Sequence, residues 1–158
     1  MSSENTKNDL LRDVAELTGR FRTVLMATSS LDGEPEISYS PQVIVNGALY
    51  VFVSDLSLHT GNLKENPRAS LLFIENEEDA ENLHARRRVT YKASADLIAR
   101  EDPQWATILD AMEGQFGELI GLLKSLTDFH LIKLQPESVN IVRGFADAHT
   151  FGLKEFVD

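Results

Sequence analysis

No cysteine occurs among the 158 residues. That excludes a disulfide framework, a thiolate nucleophile and a Cys-ligated metal. No apolar run reaches the length a membrane-spanning helix needs. The start of the chain, M-S-S-E-N-T-K-N-D, is polar and lacks the apolar core of a signal peptide. These absences lead to the expectation of a cytoplasmic protein without a membrane partner. Positive charge is also scarce, at 15 Lys and Arg against 25 Asp and Glu, for a net charge of −10. A chain so acidic has no broad basic face for nucleic acid. There is no G-x-G-x-x-G and no P-loop. Ser29 and Ser54 stand outside any G-x-S-x-G context, so a hydrolase triad is unsupported. The four histidines are scattered, none paired at i, i+3 or i+4, so no metal site is expected.

What is present suits one globular domain spanning 1–158, with 42% hydrophobic residues and length enough for a full core. The stretch from Leu49 to Ile74 organises it. The run Leu49 to Val53 is β-branched and aromatic, as strands are. Ser54-Asp55 offers side-chain oxygens to a turn. A short amphipathic segment around Leu58 to Leu63 ends at Asn66-Pro67, because a residue before proline is pushed out of the helical region. A second strand follows from Ala69 to Ile74. Two strands thus bracket a turn and short helix carrying Ser57, His59, Thr60 and Asn62.

Upstream, Asn5 to Leu17 reads as an amphipathic helix within an N-terminal segment 1–20, with Leu10, Val14 and Leu17 on one face. Arg22 to Ser29 is a strand, apolar on both faces and therefore expected to be central. The strand Glu36 to Val45 alternates, with Ile37, Tyr39, Val43 and Val45 on one face; Pro41 within it marks an edge or a bulge. Asn46-Gly47 is the strongest hairpin signal. Downstream, Glu75 to Glu81 is an acidic surface loop or short helix, and Arg88 to Ile98 alternates as a long half-buried strand. Asp102-Pro103 starts a helical insertion over 102–126, expected to break near Gly114. Asp128 to Leu134 and Ser138 to Arg143 read as strands separated by a turn at Pro136. The remainder, 144–158, is a C-terminal loop or short strand.

Four segments hold candidates for chemistry. Ser57, His59 and Asn62, with free backbone N–H groups at a helix start, suit an anionic group; the plainer alternative is capping by Ser57 and an exposed imidazole. Arg86, Arg87 and Arg88 form a basic island, and a guanidinium fork fits phosphate or carboxylate, although most charge runs are solvated turns. In D-F-H-L-I-K-L, Asp128 and His130 stand at i and i+2, so in a strand they share a face and the carboxylate would orient the ring; a strand-start Asp and a hydrogen-bonded His are equally compatible. In G-F-A-D-A-H, His149 either faces a cofactor or caps a surface loop.

Three of these segments agree in order and spacing with a known family. The pattern of strand, S-x-x-x-x-N-L, N-P and strand resembles the FMN-binding split-barrel superfamily, the relatives of pyridoxamine 5′-phosphate oxidase. His59, where most members carry Arg or Lys against the flavin phosphate, A-R-R-R-V-T-Y (Ala85 to Tyr91) and the D-F-H segment are similar to its bacterial haem-utilisation branch. The resemblance implies an α+β, mainly β fold, a six-stranded antiparallel split β-barrel, and a homodimer with two cofactor sites between subunits. It implies haem binding with assistance to haem's oxidative breakdown; FMN in an oxidoreductase, or haem in a non-catalytic carrier, are the alternatives. It places Arg88 near the haem and gives Asp128 the task of positioning an axial histidine. In that branch the axial histidine lies in a C-terminal tail, whereas Gly152 to Asp158 contains none, so either His149 or His59 substitutes, or haem is held weakly, or this member does not degrade haem. Relatives read G-F-G-x-A where this chain has Ala146, which implies an ordinary φ at that position.

Overall fold

At the Asn46-Gly47 turn both residues adopt positive φ, +51° and +79°, the geometry a tight hairpin between right-twisted strands demands. Val45 faces Ala48 across it. The computed structural model describes residues 3–153. The elements in chain order are α1 (Ser3–Thr18), β1 (Thr23–Ser29), β2 (Pro35–Pro41), β3 (Val43–Val45), β4 (Ala48–Ser54), α2 (Leu58–Glu65), β5 (Arg68–Ile74), β6 (Arg88–Ile98), α3 (Pro103–Phe116), α4 (Leu119–Lys124), β7 (Phe129–Gly144) and β8 (Asp147–Gly152). Short 3₁₀ turns at Glu77–Asp79 and Leu83–Ala85 join β5 to β6.

The strands form one eight-stranded antiparallel sheet in the order β2-β1-β5-β6-β7-β4-β3, with β8 on β7. The α+β character matches expectation, but the six-stranded split barrel does not: the sheet is not closed into a barrel. The expected single strand from Glu36 to Val45 divides at Gln42, and its halves pair at opposite ends of the sheet, β2 with β1 and β3 with β4. At the division the Gln42 backbone N–H turns to Arg22 O (2.9 Å) and its Nε2 to Phe21 O (3.0 Å). No ladder joins β2 to β3. β2 begins and ends in proline, fitting an edge strand because proline has no N–H to give.

β4 is buried along both faces from Ala48 to Val53, which explains its unbroken apolar run. Leu49, Val51 and Val53 face the main core together with Leu10, Val14 and Leu17 of α1 and the inner residues of β1, β5, β6 and β7. Ala48, Tyr50 and Phe52 face a second core closed by Ile108, Leu109 and Met112 of α3 and Ile120 of α4. β1, expected to be central, lies next to the edge; Val24 and Met26 are buried while Leu25 is 38% exposed. Three further boundaries differ. The helical insertion breaks at Gly117, where φ is +86°, rather than at Gly114. Pro136 does not make a turn: it sits inside the 16-residue β7, opposite Ala93 beside a bulge. The expected C-terminal loop contains β8, and its residues 154–158 lie outside the described residues.

In β2 the pattern is inverted relative to an ordinary half-buried strand. Ile37 and Tyr39 are 71% and 65% exposed, whereas Ser40 and the following Gln42 are buried. Leu25 faces Tyr39, and Ala27 faces Ile37, across the β1–β2 ladder. An apolar patch therefore stands on the outer sheet face, and hydroxyl groups point inward.

Candidate functional site

The inner polar side of β2 meets the first turn of α2. His59 is buried, and its Nδ1 lies 2.8 Å from Ser38 Oγ. Its Nε2 makes no hydrogen bond among the described residues. Burial pushes the imidazole below its ordinary value of 6.5, against the opposing pull of Glu36; the ring is therefore neutral at pH 7. Ser57 occupies the N-cap position of α2 without a side-chain capping bond, so it is neither the cap nor yet a ligand. Asn62 Nδ2 donates to Thr28 Oγ1 (3.1 Å) and Asn66 Nδ2 to Ser29 Oγ (2.9 Å), and these bonds fix α2 against β1. Thr60 Oγ1 donates to Ser54 O (2.6 Å), tying the same turn to the end of β4.

Asp128 and His130 are not partners. Asp128 precedes the first residue of β7, so the two-residue strand period that would align them does not apply. Asp128 Oδ2 accepts from Ser54 Oγ at 3.2 Å. His130 Nε2 lies instead 2.8 Å from Asp55 Oδ1 and 3.1 Å from Lys64 Nζ, and Lys64 Nζ lies 2.8 Å from Asp55 Oδ1. The bond from Lys64, then that from His130, holds the Asp55 carboxyl below the usual carboxylate range. Asp55, read in the sequence only as a turn residue, and Lys64, which the sequence reading did not single out, thus latch the last turn of α2 to β7. Only the turn-forming Asp55 gave a signal in the sequence.

The basic island is divided in its use. Glu75, buried at 6% exposure, accepts from the Arg87 backbone N–H at 2.7 Å and from Arg87 Nε at 3.1 Å. Its backbone carbonyl accepts from Arg86 Nε (3.0 Å) and from the Arg86 guanidinium terminus (2.6 Å). Burial pushes the Glu75 carboxyl up, but the Arg87 bonds pull harder, and the net displacement is downward. Arg88 alone of the three contacts no carboxylate among the described residues; its guanidinium reaches the Arg86 carbonyl at 3.1 Å.

His149 does not face the α2 turn's network. Its Nε2 lies 2.7 Å from Asp147 Oδ1, and Asp147 also pairs with Arg143, whose guanidinium reaches Asp13 of α1 at 2.9 Å. Ala146 has φ +59°, not the ordinary φ expected; an alanine here takes the left-handed conformation that favours glycine.

The structure brings together Ser57, His59, Asn62 and, through Ser54, Asp128. It does not bring Arg88 or His149 to them. Ser38 stands in ladder with Met26, Met26 with Leu71 and Leu71 with Tyr91. β2 and β6 are thus three strand spacings apart, about 14 Å. Ser38 points to the inner face, and Arg88, three residues from the buried Tyr91, points to the outer one. Among the described residues no group of three or more His, Cys, Asp or Glu is placed to hold a metal ion. No described helix is long and apolar enough to cross a membrane.

Comparison with known proteins adds three findings. The model of the family described as pyridoxamine 5′-phosphate oxidase matches residues 10–143. Over 158 residues, all of this chain and 90% of the other, the sequence is 34% identical to a Vibrio cholerae protein called Heme oxygenase HutZ. Two solved structures are similar. HutZ, described there as a heme storage protein from Vibrio cholerae, superposes with a TM-score of 0.79 at 33% identity, covering 86% of this chain and 96% of that one. Campylobacter jejuni ChuZ superposes with a TM-score of 0.80 at 29% identity, covering 96% of this chain and 61% of ChuZ.

Proposed function

The chain belongs to the pyridoxamine 5′-phosphate oxidase family, and from that membership we propose that it binds haem, in the service of haem-iron utilisation, at a site completed by a second copy of the chain. The observation that carries this reading is the buried neutral imidazole of His59 at the start of α2. Its likeness to a protein called Heme oxygenase HutZ agrees with it.

The residues present fit haem better than FMN. A flavin phosphate needs a cation at the α2 turn. The turn presents a neutral ring there, and Lys64 is committed to Asp55. Haem needs a neutral imidazole for iron, apolar surface for the ring and a cation for its carboxylates. His59 is the buried imidazole with an unengaged nitrogen, whereas His130 and His149 each hold a carboxylate through Nε2. Arg88 is the guanidinium of the island without a carboxylate. Haem, when bound, would supply an iron able to bind and reduce dioxygen and a porphyrin that is itself open to oxidation. Ser38 would fix the orientation of the His59 ring. Arg88 would hold a carboxylate by a charge-assisted bond. Ser54 keeps the Asp128 carboxylate beside the end of β4, where it can take or give a proton at Oδ2.

Because Ser38, which holds the His59 ring, and Arg88 stand three strands apart and point to opposite faces, one copy does not supply both His59 and Arg88 to one ligand. The exposed apolar face of Leu25, Ile37 and Tyr39 supports the homodimer reading, since a patch of that kind marks an interface. Titrating the purified protein with haemin, and separately with FMN, tests the assignment. The expected result is a Soret shift saturating near about one haem per chain, with no comparable FMN binding. Tight FMN binding with only diffuse haemin association would overturn it. Bleaching of the Soret band on adding reductant would mark a haem-degrading enzyme, and a stable band a carrier. A monomer mass by light scattering at micromolar concentration would overturn the shared site.

A further inference from the structure

A second donor-rich site lies partway along β6 from Arg88, around Lys92 and Ala93. The β1–β5 ladder stops at Ala27 and Ser70, and beyond it Thr28-Ser29 and Arg68-Ala69 diverge. Nearby, the β6–β7 register passes from Lys92 opposite Ser138 to Ala93 opposite Pro136, leaving Glu137 bulged out with no facing residue. The divergence and the bulge open a cleft of about 520 Å³, whose lining includes Thr28, Ser29, Arg68, Ser70, Lys92 and Glu137.

Its hydrogen-bonding is lopsided. Thr28 Oγ1 accepts from Asn62, Ser29 Oγ from Asn66 and Ser70 Oγ from Lys92. Each hydroxyl has used an acceptor position and none donates in a side-chain bond among the described residues; Thr28, two residues from the buried Met26, points to the inner face, which leaves the O–H groups of Ser29 and Ser70 as donors in the cleft. The Arg68 guanidinium has no hydrogen-bond or ion-pair partner among the described residues. Lys92 Nζ has only Ser70, at 2.8 Å. Arg68 faces Ser94 and Lys92 faces Ser70, so the two cations are diagonal neighbours on one sheet face, about 7–8 Å apart, a spacing at which like charges still repel. The carboxylate of Glu137, the acceptor on the rim, lies outside ion-pair distance of both.

We propose that this cleft binds a small oxyanionic group, phosphate or carboxylate, between Arg68 and Lys92. A ligand that only accepts hydrogen bonds matches a lining that has mainly donors to offer, and its negative charge relieves the repulsion between the cations. Lys92 lies four residues, about 13 Å, from Arg88 along the same outer face of β6, and through Ala27, which lines the cleft and faces Ile37, the site borders the face assigned above to a second copy.

Calorimetric titration of the haem-free protein with inorganic phosphate at low ionic strength is the test. The expected result is one saturable site with a Kd of about a millimolar or tighter. The double substitution Arg68→Gln, Lys92→Gln, at exposed positions, is expected to weaken it about tenfold or more. Amide resonances of Ser29, Ser70 and Lys92 in the unaltered protein should move with phosphate, a readout that does not depend on the variant's folding. Absence of saturation, unmoved resonances, or equal affinity in the variant would overturn the site. An acetate arm distinguishes the sources of the oxyanion: tighter phosphate assigns the cleft to phosphates, tighter acetate to carboxylates. Displacement of phosphate by haemin would overturn its standing as a second site. Since the first arm contains no haem, it can fail or succeed whatever the outcome of the haemin titration.

Discussion

The α2 turn and the arginine island both announce themselves in the sequence as places for a cofactor, yet they are built in opposite ways. At the turn, the polar groups arrive from several distant segments: Ser38 on β2, Thr28 on β1 and Ser54 on β4 converge on His59, Asn62 and Thr60. One nitrogen is left over, on a neutral buried ring. At the island, three consecutive cations are adjacent in the chain, but Glu75 engages two of them locally. Charges counted along a sequence are therefore not charges available to a ligand. What remains available is what the fold has not already paired, one imidazole nitrogen at the turn and one guanidinium at the island.

This contrast can be broken by experiment, and the largest expected effect is on the island's internal pairing. Glu75→Ala removes a buried acceptor of two Arg87 bonds and should cost about 3 kcal/mol of stability, read from urea unfolding. A loss below about 0.5 kcal/mol would show that the island is not a structural device. Arg88→Ala should do the converse. It should weaken haemin binding by about 2 kcal/mol while leaving the urea midpoint nearly unchanged; unchanged haemin affinity would remove Arg88 from the site. Ser38→Ala frees the His59 ring to turn and should weaken haemin binding by about 1 kcal/mol, with a broadened Soret band as the sign of a heterogeneous ligand geometry.

The smallest effect is the pH dependence: in both regions stability falls as pH falls, and the pH window separates them. The His59 imidazole sits below its ordinary 6.5, so between the two values the unfolded chain binds more protons than the folded one. The stability it contributes is full above 6.5 and declines as pH drops through that range. Glu75 is depressed below its ordinary 4.5. Its contribution is full above 4.5 and is lost only as pH falls through its folded value. Titration of the His59 ring resonances should give a midpoint under 6.5; a midpoint above 7 would mean that the ring is mainly charged at neutral pH and could not serve there as a neutral ligand.

Local physics is what the sequence exposed. The Asn46-Gly47 hairpin, the Asp102 cap with Pro103 after it, the proline stop of α2 and the alternation of β6 all follow from residues within a few positions of one another, and all are found. The failures share a cause, which is dependence on distant strands. Pro136 reads as a breaker, but in β7 it falls at a bulge where its missing N–H is tolerated. Asp128 reads as the partner of His130 only if β7 begins one residue earlier; Asp55, brought in by the β4–β7 ladder, takes that place. Pro41 marks an edge or a bulge beside Gln42, but nothing within reach announces that the two halves go to opposite ends of the sheet and that the sheet stays open. In the site, His59, Asn62 and Ser57 were legible as a turn, but the Ser38 contact was not, because the inward polar face of β2 contradicts the usual expectation that Ile37 and Tyr39 are the buried side.

An open sheet also has free edges, and the one at β2 bears on how this protein survives at high concentration. A free strand edge templates the addition of further strands, which is how fibrils grow. Pro35 and Pro41 close off both ends of β2, because neither can donate to an incoming strand. The exposed Ile37 and Tyr39 can still be covered face to face, a contact that saturates after one partner, whereas edge to edge stacking does not. The two prolines thus favour finite association over polymer growth, and replacing both should shift the protein from discrete species toward insoluble aggregate.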